Sequence, residues 1–245
     1  NVEISWDNPF DILRKKWGEI PAVEGRVKSA ELVKLDSINL VRLWRDIHAG
    51  ATTGEHYSVR GWYHELYGEW LSNKKIMDYG SGLGIDSIVF AQKGADVTFV
   101  DIVETNLQVI EIICKELQIN NYKTFLVNDF DDIEKLDYNY DVIWCQGSLI
   151  NTPIQIVRKE VHLLLPHLKN YGRWIELAYP EERWVRDGRL PFDKWGELTD
   201  GGAPWIEWKD MAKMVEIMKP YKFDTVLSCN FHNDDFNWFD LKISK

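Results

Sequence analysis

Apolar and polar residues alternate in two different rhythms, and the rhythm changes near residue 74. Before it, residues 62–71 predict a short aromatic helix, and the apolar residues of 29–47 recur at helical spacing, namely Leu32, Leu35, Ile38, Val41 and Leu43. After it, short apolar runs that predict strands alternate with segments that predict helices. The runs are KIMDY at 75–79, DVTFVD at 96–101, KTFLVN at 123–128, YDVIWCQ at 140–146 and RWIELAY at 173–179. This alternation predicts a mostly parallel sheet with helices on both faces.

The end of the chain follows a different pattern. Two apolar segments, FDTVLSCNF and FNWFDLKIS, are separated only by HNDD. A connection this short joins antiparallel strands. We therefore predict a doubly wound α/β fold, with a mostly parallel seven-stranded sheet and an antiparallel C-terminal strand. Residues 1–73 would form an N-terminal helical cap on a main domain at 74–245, within one globular unit.

Composition narrows the possible partners. The chain has 245 residues and a net charge of −10, which argues against DNA or RNA as its main ligand. Its three cysteines are odd in number and widely spaced, so we expect buried thiols and neither a disulfide framework nor a metal site. There is no apolar run of membrane length and no signal-peptide pattern, and we expect a cytoplasmic protein without a membrane partner.

The segment DYGSGLG follows the first strand of the main domain, at residues 78–84. Open α/β sheets bind ligands at the carboxyl ends of their strands, where the strand order reverses. There Gly80 would allow a tight turn and Gly82 would let a ligand approach the backbone. The helix that follows favours a negative group such as a carboxylate at its N-terminus. Asp101, at the end of the second strand, is placed to accept hydrogen bonds from two ribose hydroxyls.

Two cofactor classes suit this geometry. Dinucleotide-binding proteins use G-x-G-x-x-G, whereas this chain has G-x-G-x-G with Asp78 two residues before the first glycine. That pattern resembles motif I of the class I S-adenosylmethionine-dependent methyltransferases. Residues 75–160, including NDF after the third strand and CQGSL at the fourth, resemble the same family, as does the terminal hairpin. The resemblance implies that the chain binds S-adenosyl-L-methionine and transfers its methyl group.

The resemblance also implies a set of cofactor-binding residues. Gly80, Ser81, Gly82 and Leu83 would line the methionine part, with Asp78 beneath the loop and Gln146 facing the same end. Asp101 would hold the ribose, and Asp129 would accept from the adenine amino group, with Ile102 or Phe130 against the ring. Arg60 and Tyr63 occupy a position where related enzymes contact the cofactor carboxylate.

Three segments are expected to cap the carboxyl edge of the sheet, namely residues 48–67, the connection at 180–207 and the NFHNDD turn. The first and the last hold the candidate bases. An oxygen or nitrogen acceptor must lose a proton, and a positioned base assists by roughly 10²–10⁴-fold. The candidates are His56, His64 and His232, although loop histidines are more often surface residues. Many relatives carry a histidine shortly after the fourth strand, where this chain has Asn151, which we count among the candidates for acceptor binding.

The long connection at 180–207 is predicted to be a substrate lid. It contains Arg183, Arg186 and Arg189, and arginine suits bidentate recognition of phosphate or carboxylate. We expect a small anionic acceptor, unless these charges form an ordinary solvated surface. The C-terminal portion resembles methyltransferases of bacterial surface-polysaccharide pathways. That resemblance implies a phosphorylated or nucleotide-linked intermediate of capsule biosynthesis.

Other functions compete with methyl transfer. A nicotinamide-dependent oxidoreductase would use a related fold, but the glycine spacing and the terminal hairpin disagree with it. An aminopropyltransferase would use this fold with a decarboxylated cofactor, but the second acid pair typical of its active site is not evident. A non-catalytic S-adenosylmethionine-binding partner would keep the same glycine loop and Asp101. The sequence does not define the oligomeric state.

Overall fold

The computed structural model describes residues 5–22, 25–199 and 201–245. The helices are α1 Pro9–Trp17, α2 Ser29–Leu32, α3 Ser37–Thr52, α4 Gly61–Gly68, α5 Ser87–Gln92, α6 Glu104–Glu116, α7 Phe130–Ile133, α8 Ile154–Leu164, α9 Glu181–Arg186, α10 Phe192–Thr199 and α11 Met211–Met218. Short 3₁₀ turns cover Gly54–Ser58 and Leu165–His167. The strands are β1 Glu19–Ala22, β2 Gly25–Lys28, β3 Lys75–Tyr79, β4 Asp96–Asp101, β5 Tyr122–Leu126, β6 Tyr140–Gln146, β7 Leu168–Ala178, β8 Lys222–Phe231 and β9 Phe236–Ser244.

Seven strands form the central sheet in the order β5-β4-β3-β6-β7-β9-β8. Strands β3 to β7 are parallel, while β9 pairs antiparallel with both β7 and β8. The predicted fold class is therefore confirmed. Strand β3 pairs with β4 on one side and β6 on the other, so the strand order reverses at its carboxyl end. This is the point at which open α/β sheets bind ligands.

Helices cover both faces of the sheet, and each face has its own cluster of buried apolar side chains. Met77 and Tyr79 of β3 pack in the cluster that contains Val157 of α8. Ile76 of β3 packs on the opposite face with Trp144 of β6. Burial on both faces explains why these strands are nearly continuous apolar runs in the sequence.

Helix α3 buries only part of the apolar stripe that its sequence spacing predicts, with Val41 buried as expected. Ile38 belongs to the predicted apolar stripe, yet it is 63% exposed, while Leu40 and Trp44 are buried. The helix begins at Ser37, after Asp36 caps it by accepting a hydrogen bond from the Asn39 amide at 3.0 Å. Its orientation follows a tertiary contact, because Trp44 Nε1 donates to the carbonyl of Leu83 at 3.0 Å. Helix α3 thereby supports the loop after β3.

Helix α1 and the β1–β2 hairpin were not predicted. Helix α1 lies across the carboxyl edge of the sheet, where Arg14 Nε donates to the Ile102 carbonyl at 2.7 Å. The Phe10 ring packs edge-on against Phe130, with centroids 4.9 Å apart. Lys16 Nζ donates to the carbonyl of Gly201 in the predicted lid at 2.6 Å. The N-terminal segment therefore forms a roof over this edge.

The predicted lid is built from α9, α10 and the segment that follows them. Trp195 of α10 is fully buried, and its indole nitrogen donates to Asp187 at 2.9 Å. Arg186 of α9 pairs with Asp235 in the β8–β9 turn and donates to the Asn233 carbonyl at 2.7 Å. These contacts fasten the lid to the terminal hairpin. Within the described part of the chain, no helix is long and apolar enough to cross a membrane.

Candidate functional site

A cavity of about 440 Å³ opens at the carboxyl ends of β3, β4 and β6. Its floor is the loop after β3 together with Asp101 and Ile102 after β4, and α1 covers it with Phe10, Leu13 and Trp17. Arg60 and Tyr63 approach from the N-terminal cap, and Tyr179 and Arg183 from the lid side. The cavity therefore brings together segments that are far apart in the sequence.

The glycine loop has a backbone that suits glycine. Gly80, Gly82 and Gly84 have φ angles of +82°, +55° and +66°, a region that other residues adopt only with strain. At Gly80 the space is also closed, because an added Cβ would lie 2.3 Å from the Cβ of Ser148. The amide nitrogen of Gly80 donates to the Val100 carbonyl at 2.8 Å, which fixes the loop to β4. The motif read from the sequence is thus a rigid turn that lines the cavity.

Asp101 is 5% exposed, and its side chain binds the glycine loop from the end of β4. Its Oδ2 accepts from the Gly82 amide, and its Oδ1 accepts from the Val103 amide, both at 2.8 Å. Burial raises the pKa of Asp101 to about 6, although these hydrogen bonds oppose the shift. Asp78, buried under the loop, has a pKa raised by burial to about 8. Both aspartates line the cavity.

Arg60 enters the cavity as part of a buried network. Arg60 Nη1 lies 2.7 Å from Asp86 Oδ1, and His64 Nε2 lies 2.6 Å from the same oxygen. Trp144 Nε1 donates to Oδ2 of Asp86 at 3.2 Å. Burial alone would raise the pKa of Asp86, but Arg60 and His64 outweigh it and hold the pKa below its usual range. Sequence reasoning missed Asp86, whose only signal was an acid directly before an apolar helix.

Three polar atoms in this region are buried without a hydrogen-bond partner among the described residues. They are Ser81 Oγ, Asn106 Oδ1 and Gln146 Oε1, and all three residues line the cavity. Buried polar atoms are nearly always paired, so such atoms in a cavity wall indicate a polar ligand. They extend from the loop and β6 to Asn106, which also donates to Asp101 at 3.3 Å. Donors and acceptors spread along the cavity suit an elongated ligand such as S-adenosylmethionine.

Of the three residues predicted around the adenine, one lines the cavity and two do not. Ile102 lines the cavity, whereas Asp129 and Phe130 are not part of its lining. Asp129 caps α7, with its Oδ1 accepting from the Asp132 amide at 3.1 Å. Phe130 packs against Phe10, which does line the cavity. Leu83, Gln146 and Tyr63 line the cavity as well.

The predicted acceptor-binding residues are also divided by the structure. Asn151 and Arg183 line the cavity, and the guanidinium of Arg183 lies 4.1 Å from the ring centroid of Tyr179. Arg183 Nη1 donates to the Asp235 carbonyl at 3.0 Å. Arg186 is engaged with the β8–β9 turn, and Arg189 is exposed, with neither lining the cavity. Sequence reasoning missed Tyr179, Thr199 and Phe236, which line this end and carried no motif.

The three candidate bases lie outside the cavity, and no histidine of the described residues lines it. His64 is buried against Asp86. His56 lies in the 3₁₀ turn at Gly54–Ser58. His232 sits in the β8–β9 turn, with Nδ1 2.8 Å from Ser58 Oγ and Nε2 3.8 Å from Asp235 Oδ2. A catalytic role for any of them stays a prediction.

Comparison with known proteins agrees with this geometry. Residues 71–168 match a family model described as a methyltransferase domain. The chain is 31% identical over 178 residues to the ubiquinone biosynthesis O-methyltransferase of Bordetella parapertussis, covering 71% of this chain and 60% of the relative. It is 26% identical over 154 residues to the enzyme of the same name from Acinetobacter baylyi, covering 62% and 53%. The chain thus matches little more than half the length of these curated relatives.

Solved structures with the same fold include a magnesium protoporphyrin IX methyltransferase from Synechocystis PCC 6803 with bound SAH. It has a TM-score of 0.56 at 18% identity, covering 97% of this chain and 94% of that one. The PH0226 protein from Pyrococcus horikoshii has a TM-score of 0.59 at 15% identity, covering 78% and 95%. Both similarities concern the fold.

The fold and the matched region define a Rossmann-like methyltransferase domain. Residues 71–168 carry a methyltransferase domain, which confirms the predicted domain class and its cofactor, S-adenosyl-L-methionine. The buried polar atoms and Asp101 of the cavity fit that cofactor. The relatives described above are named for ubiquinone biosynthesis, and the resemblance to surface-polysaccharide enzymes rests on the sequence alone.

Proposed function

We propose that this protein transfers a methyl group from S-adenosylmethionine to an oxygen atom of a small acceptor. One observation carries the proposal: a single cavity joins the glycine loop and Asp101 to Asn151 and Arg183. The first pair suits a nucleoside-containing cofactor, and the second pair suits a polar acceptor. A continuous cavity would let both ligands meet away from bulk water.

The chain supplies groups for each part of the cofactor. Asp101 would accept from the ribose hydroxyls, and Arg60, oriented by Asp86, would pair with the carboxylate. Gln146 Oε1 and Ser81 Oγ would gain the partners that they lack within the protein. When bound, the cofactor supplies a methyl group on a positively charged sulfur, which is already reactive towards a nucleophile. The protein's own contribution is to bind, align and exclude water.

Helix α1 and the lid would align the two ligands and exclude water from the cavity. Phe10 and Trp17 of α1 cover one end of the cavity, and Tyr179 and Phe236 line the other. Holding two reactants in line can lower a barrier by ~7–11 kcal/mol. No described histidine lines the cavity, so the acceptor hydroxyl would lose its proton to a lining carboxylate or be acidic enough to react without a base. The names of the relatives, which are O-methyltransferases, favour oxygen over nitrogen.

Arg183 supports an anionic acceptor. Its guanidinium lies over Tyr179 at the lid end of the cavity, where Nη1 donates to the Asp235 carbonyl and Nε lies 3.8 Å from Asp187 Oδ2, so an anionic acceptor would compete with Asp187 for this charge. A carboxylate or phosphate would bind there through charge-assisted hydrogen bonds. A phosphorylated or nucleotide-linked intermediate of surface-polysaccharide biosynthesis is one such class, and a carboxylated phenol is another. We place neither above the other.

Two measurements test the proposal. Calorimetry with S-adenosylhomocysteine and with NAD separates methyl transfer from nicotinamide chemistry, and we expect micromolar binding of the first and none of the second. Mass spectrometry after incubation with methyl-labelled cofactor and pools of carboxylated phenols, sugar phosphates and nucleotide sugars should show one labelled product. Tight NAD binding without S-adenosylhomocysteine binding would contradict the proposal. Cofactor binding without a labelled product in any pool would favour a non-catalytic binding partner.

A further inference from the structure

Glu160 of α8 is a carboxyl group in the wall of the cavity, and only one of its two oxygens is engaged by the described residues. The side chain is buried, and Oε1 accepts a hydrogen bond from the Tyr79 hydroxyl at 2.7 Å. Both residues line the cavity. Within residues 5–22, 25–199 and 201–245, no group donates a hydrogen bond to Oε2. A buried carboxylate with an open acceptor oxygen in a cavity wall suits a ligand that donates a hydrogen bond to it.

The charged neighbours of Glu160 lie on the β6–β7 side of the cavity. Burial raises the pKa of Glu160 to about 7, while the hydrogen bond from Tyr79 and the ammonium group of Lys209 oppose the rise. Lys209 is itself paired with Glu176 of β7. Cys145 of β6 lies beside Glu176 in the register of the sheet, and Glu160 adds to the rise of its pKa that burial causes. Glu160 therefore faces the strands that lead to the segment after β7.

The same side of the cavity holds the residues proposed for the acceptor. The amide of Lys209 donates to the Tyr179 carbonyl at 2.9 Å, and the guanidinium of Arg183 lies over the Tyr179 ring. Asp101, the residue expected at the ribose, ends β4, and β3 separates that strand from β6 and β7. Glu160 and Arg183 therefore belong to the acceptor end of the cavity.

Three other carboxylates of the described residues line the cavity, and each has a different position or task. Asp86 is paired with Arg60 in the buried network. Both oxygens of Asp101 accept hydrogen bonds from backbone amides. Asp78 points to the other face of β3, where burial raises its pKa and Arg60 opposes the rise. Among these lining carboxylates, Glu160 combines an open oxygen with a place at the acceptor end.

We propose that Glu160, oriented by Tyr79, is the general base that takes the proton from the acceptor hydroxyl. The acceptor oxygen would bond to the methyl carbon of the cofactor while its proton passes to Glu160 Oε2. The electron pair of the broken carbon–sulfur bond stays on the sulfur, and the proton then leaves to solvent. This inference rests on the proposed function, because it requires an acceptor that is methylated on oxygen.

The titration of Glu160 suits this role. A base works best when its pKa lies near the working pH, and the pKa of Glu160 is about 7. The titratable groups that face it are Tyr79 from β3, Cys145 from β6, and Lys209 with its partner Glu176. Burial raises the pKa of Tyr79 and of Cys145 well above their usual values, so both stay neutral near pH 7. A change in rate between pH 6 and 8 would therefore report Glu160 or the acceptor itself.

Rates of methyl transfer to pools of carboxylated phenols, sugar phosphates and nucleotide sugars test the role. Glu160→Gln keeps the size of the side chain and an oxygen for Tyr79, but it cannot take a proton. We expect it to lower kcat by roughly 10²-fold or more, while the dissociation constant of S-adenosylhomocysteine stays within about twofold. Asp78→Asn should instead weaken binding of S-adenosylhomocysteine. The exposed Glu134→Gln is the matched control and should retain both values.

The pH profile separates a base from an acid that only supports the fold. In the wild type, kcat/KM should rise with pH and level off near pH 7, as Glu160 loses its proton. In Glu160→Gln this rise should move to the pKa of the acceptor hydroxyl. Glu160→Asp keeps a carboxylate at a greater distance and should recover at least tenfold of the lost rate. Tyr79→Phe removes only the orienting hydroxyl, so it should lower kcat less than Glu160→Gln does.

The outcomes separate this inference from the proposed function. A Glu160→Gln variant that binds S-adenosylhomocysteine and keeps kcat within about threefold would overturn the inference and leave methyl transfer standing. Equal losses in Glu160→Gln and Glu160→Asp, with the wild-type pH profile retained, would show a structural role and overturn it as well. A wild-type protein that labels no member of the three pools would overturn the proposed function and this inference with it.

Discussion

Asp101 and Gly82 are joined by a 2.8 Å hydrogen bond from the glycine amide to the carboxylate. The bond connects the end of β4 to the loop after β3 across the point where the strand order reverses. The second oxygen of Asp101 is held by the amide of Val103. One side chain therefore fixes the shape of the loop and faces the cavity at the same time.

Replacing Asp101 by Ala should weaken binding of S-adenosylhomocysteine by tenfold or more. The change removes charge-assisted hydrogen bonds that contribute ~1.5–3 kcal/mol each, and it releases the loop. Asp101→Asn keeps one acceptor oxygen, so its dissociation constant should lie between those of the wild type and Asp101→Ala. Calorimetry measures the dissociation constants, and an unchanged value in Asp101→Ala would show that this residue does not hold the ribose.

Gly80→Ala should destabilise the protein more than Gly147→Ala does. Both glycines have positive φ angles, +82° and +70°, so alanine is strained at each by ~1–2 kcal/mol. At Gly147 an added Cβ meets nothing within 4 Å, whereas at Gly80 it would lie 2.3 Å from Ser148 Cβ. Urea unfolding of the two variants without cofactor isolates the steric part. Equal losses of stability would mean that Ser148 moves aside freely.

The free energy of unfolding should fall as the pH rises from about 4.5 to 7, and Glu160→Gln should reduce that fall. The folded state raises the pKa of Glu160 from 4.5 to about 7, so it binds more protons than the unfolded state in this window. At about 1.4 kcal/mol for each pKa unit, the contribution of Glu160 is on the order of 3 kcal/mol. Urea unfolding at several pH values measures it, with the exposed Glu134→Gln as control. Parallel curves for wild type and Glu160→Gln would contradict this reading of Glu160.

Asp86→Asn should cost both stability and cofactor affinity. The aspartate pairs with Arg60 and His64 through one oxygen, and removing its charge leaves Arg60 without a buried partner. Breaking a fully buried ion pair from one side costs ~3–5 kcal/mol, and the loss here should be smaller because the Arg60 side chain is 31% exposed. Asp96→Asn makes the same charge change at the exposed start of β4 and should be nearly neutral. If both variants melt at the wild-type temperature, the network contributes little to the fold.

Arg183→Ala should raise the KM for an anionic acceptor by about tenfold, while Arg189→Ala should leave it unchanged. Arg183 lines the cavity, and Arg189 is exposed outside it, so the pair compares equal charge changes in one segment. The loss corresponds to about one charged hydrogen bond. Raised salt should weaken acceptor binding in wild type more than in Arg183→Ala. Equal KM values in all three proteins would indicate a neutral acceptor.

The sequence predicted the middle of the sheet well because β3, β4 and β6 are buried on both faces, and their apolar runs are continuous. Helix α1 escaped prediction because its position depends on distant partners, such as the contact between Arg14 and the Ile102 carbonyl. The exposed face of α3 was misjudged for a similar reason. Ile38 has the right spacing, but the tertiary hydrogen bond of Trp44 sets the orientation of the helix.

The site was predictable where a local backbone rule applies. Gly80 and Gly82 are recognisable because their turn requires glycine, and Asp101 because it ends the next strand. Glu160 of α8 and Asp86, which precedes α5, line the cavity without belonging to any sequence motif, so only the packed structure shows them. The packed structure also distinguishes the three lid arginines, because Arg183 lines the cavity and Arg186 and Arg189 do not.

The hydrogen bond between Lys16 and the Gly201 carbonyl links helix α1 to the segment at 180–207. It fastens α1, which covers the Asp101 end of the cavity, to the lid that borders the acceptor end. Opening either element would therefore break this contact, so access to the two ends of the cavity would be coupled through one lysine.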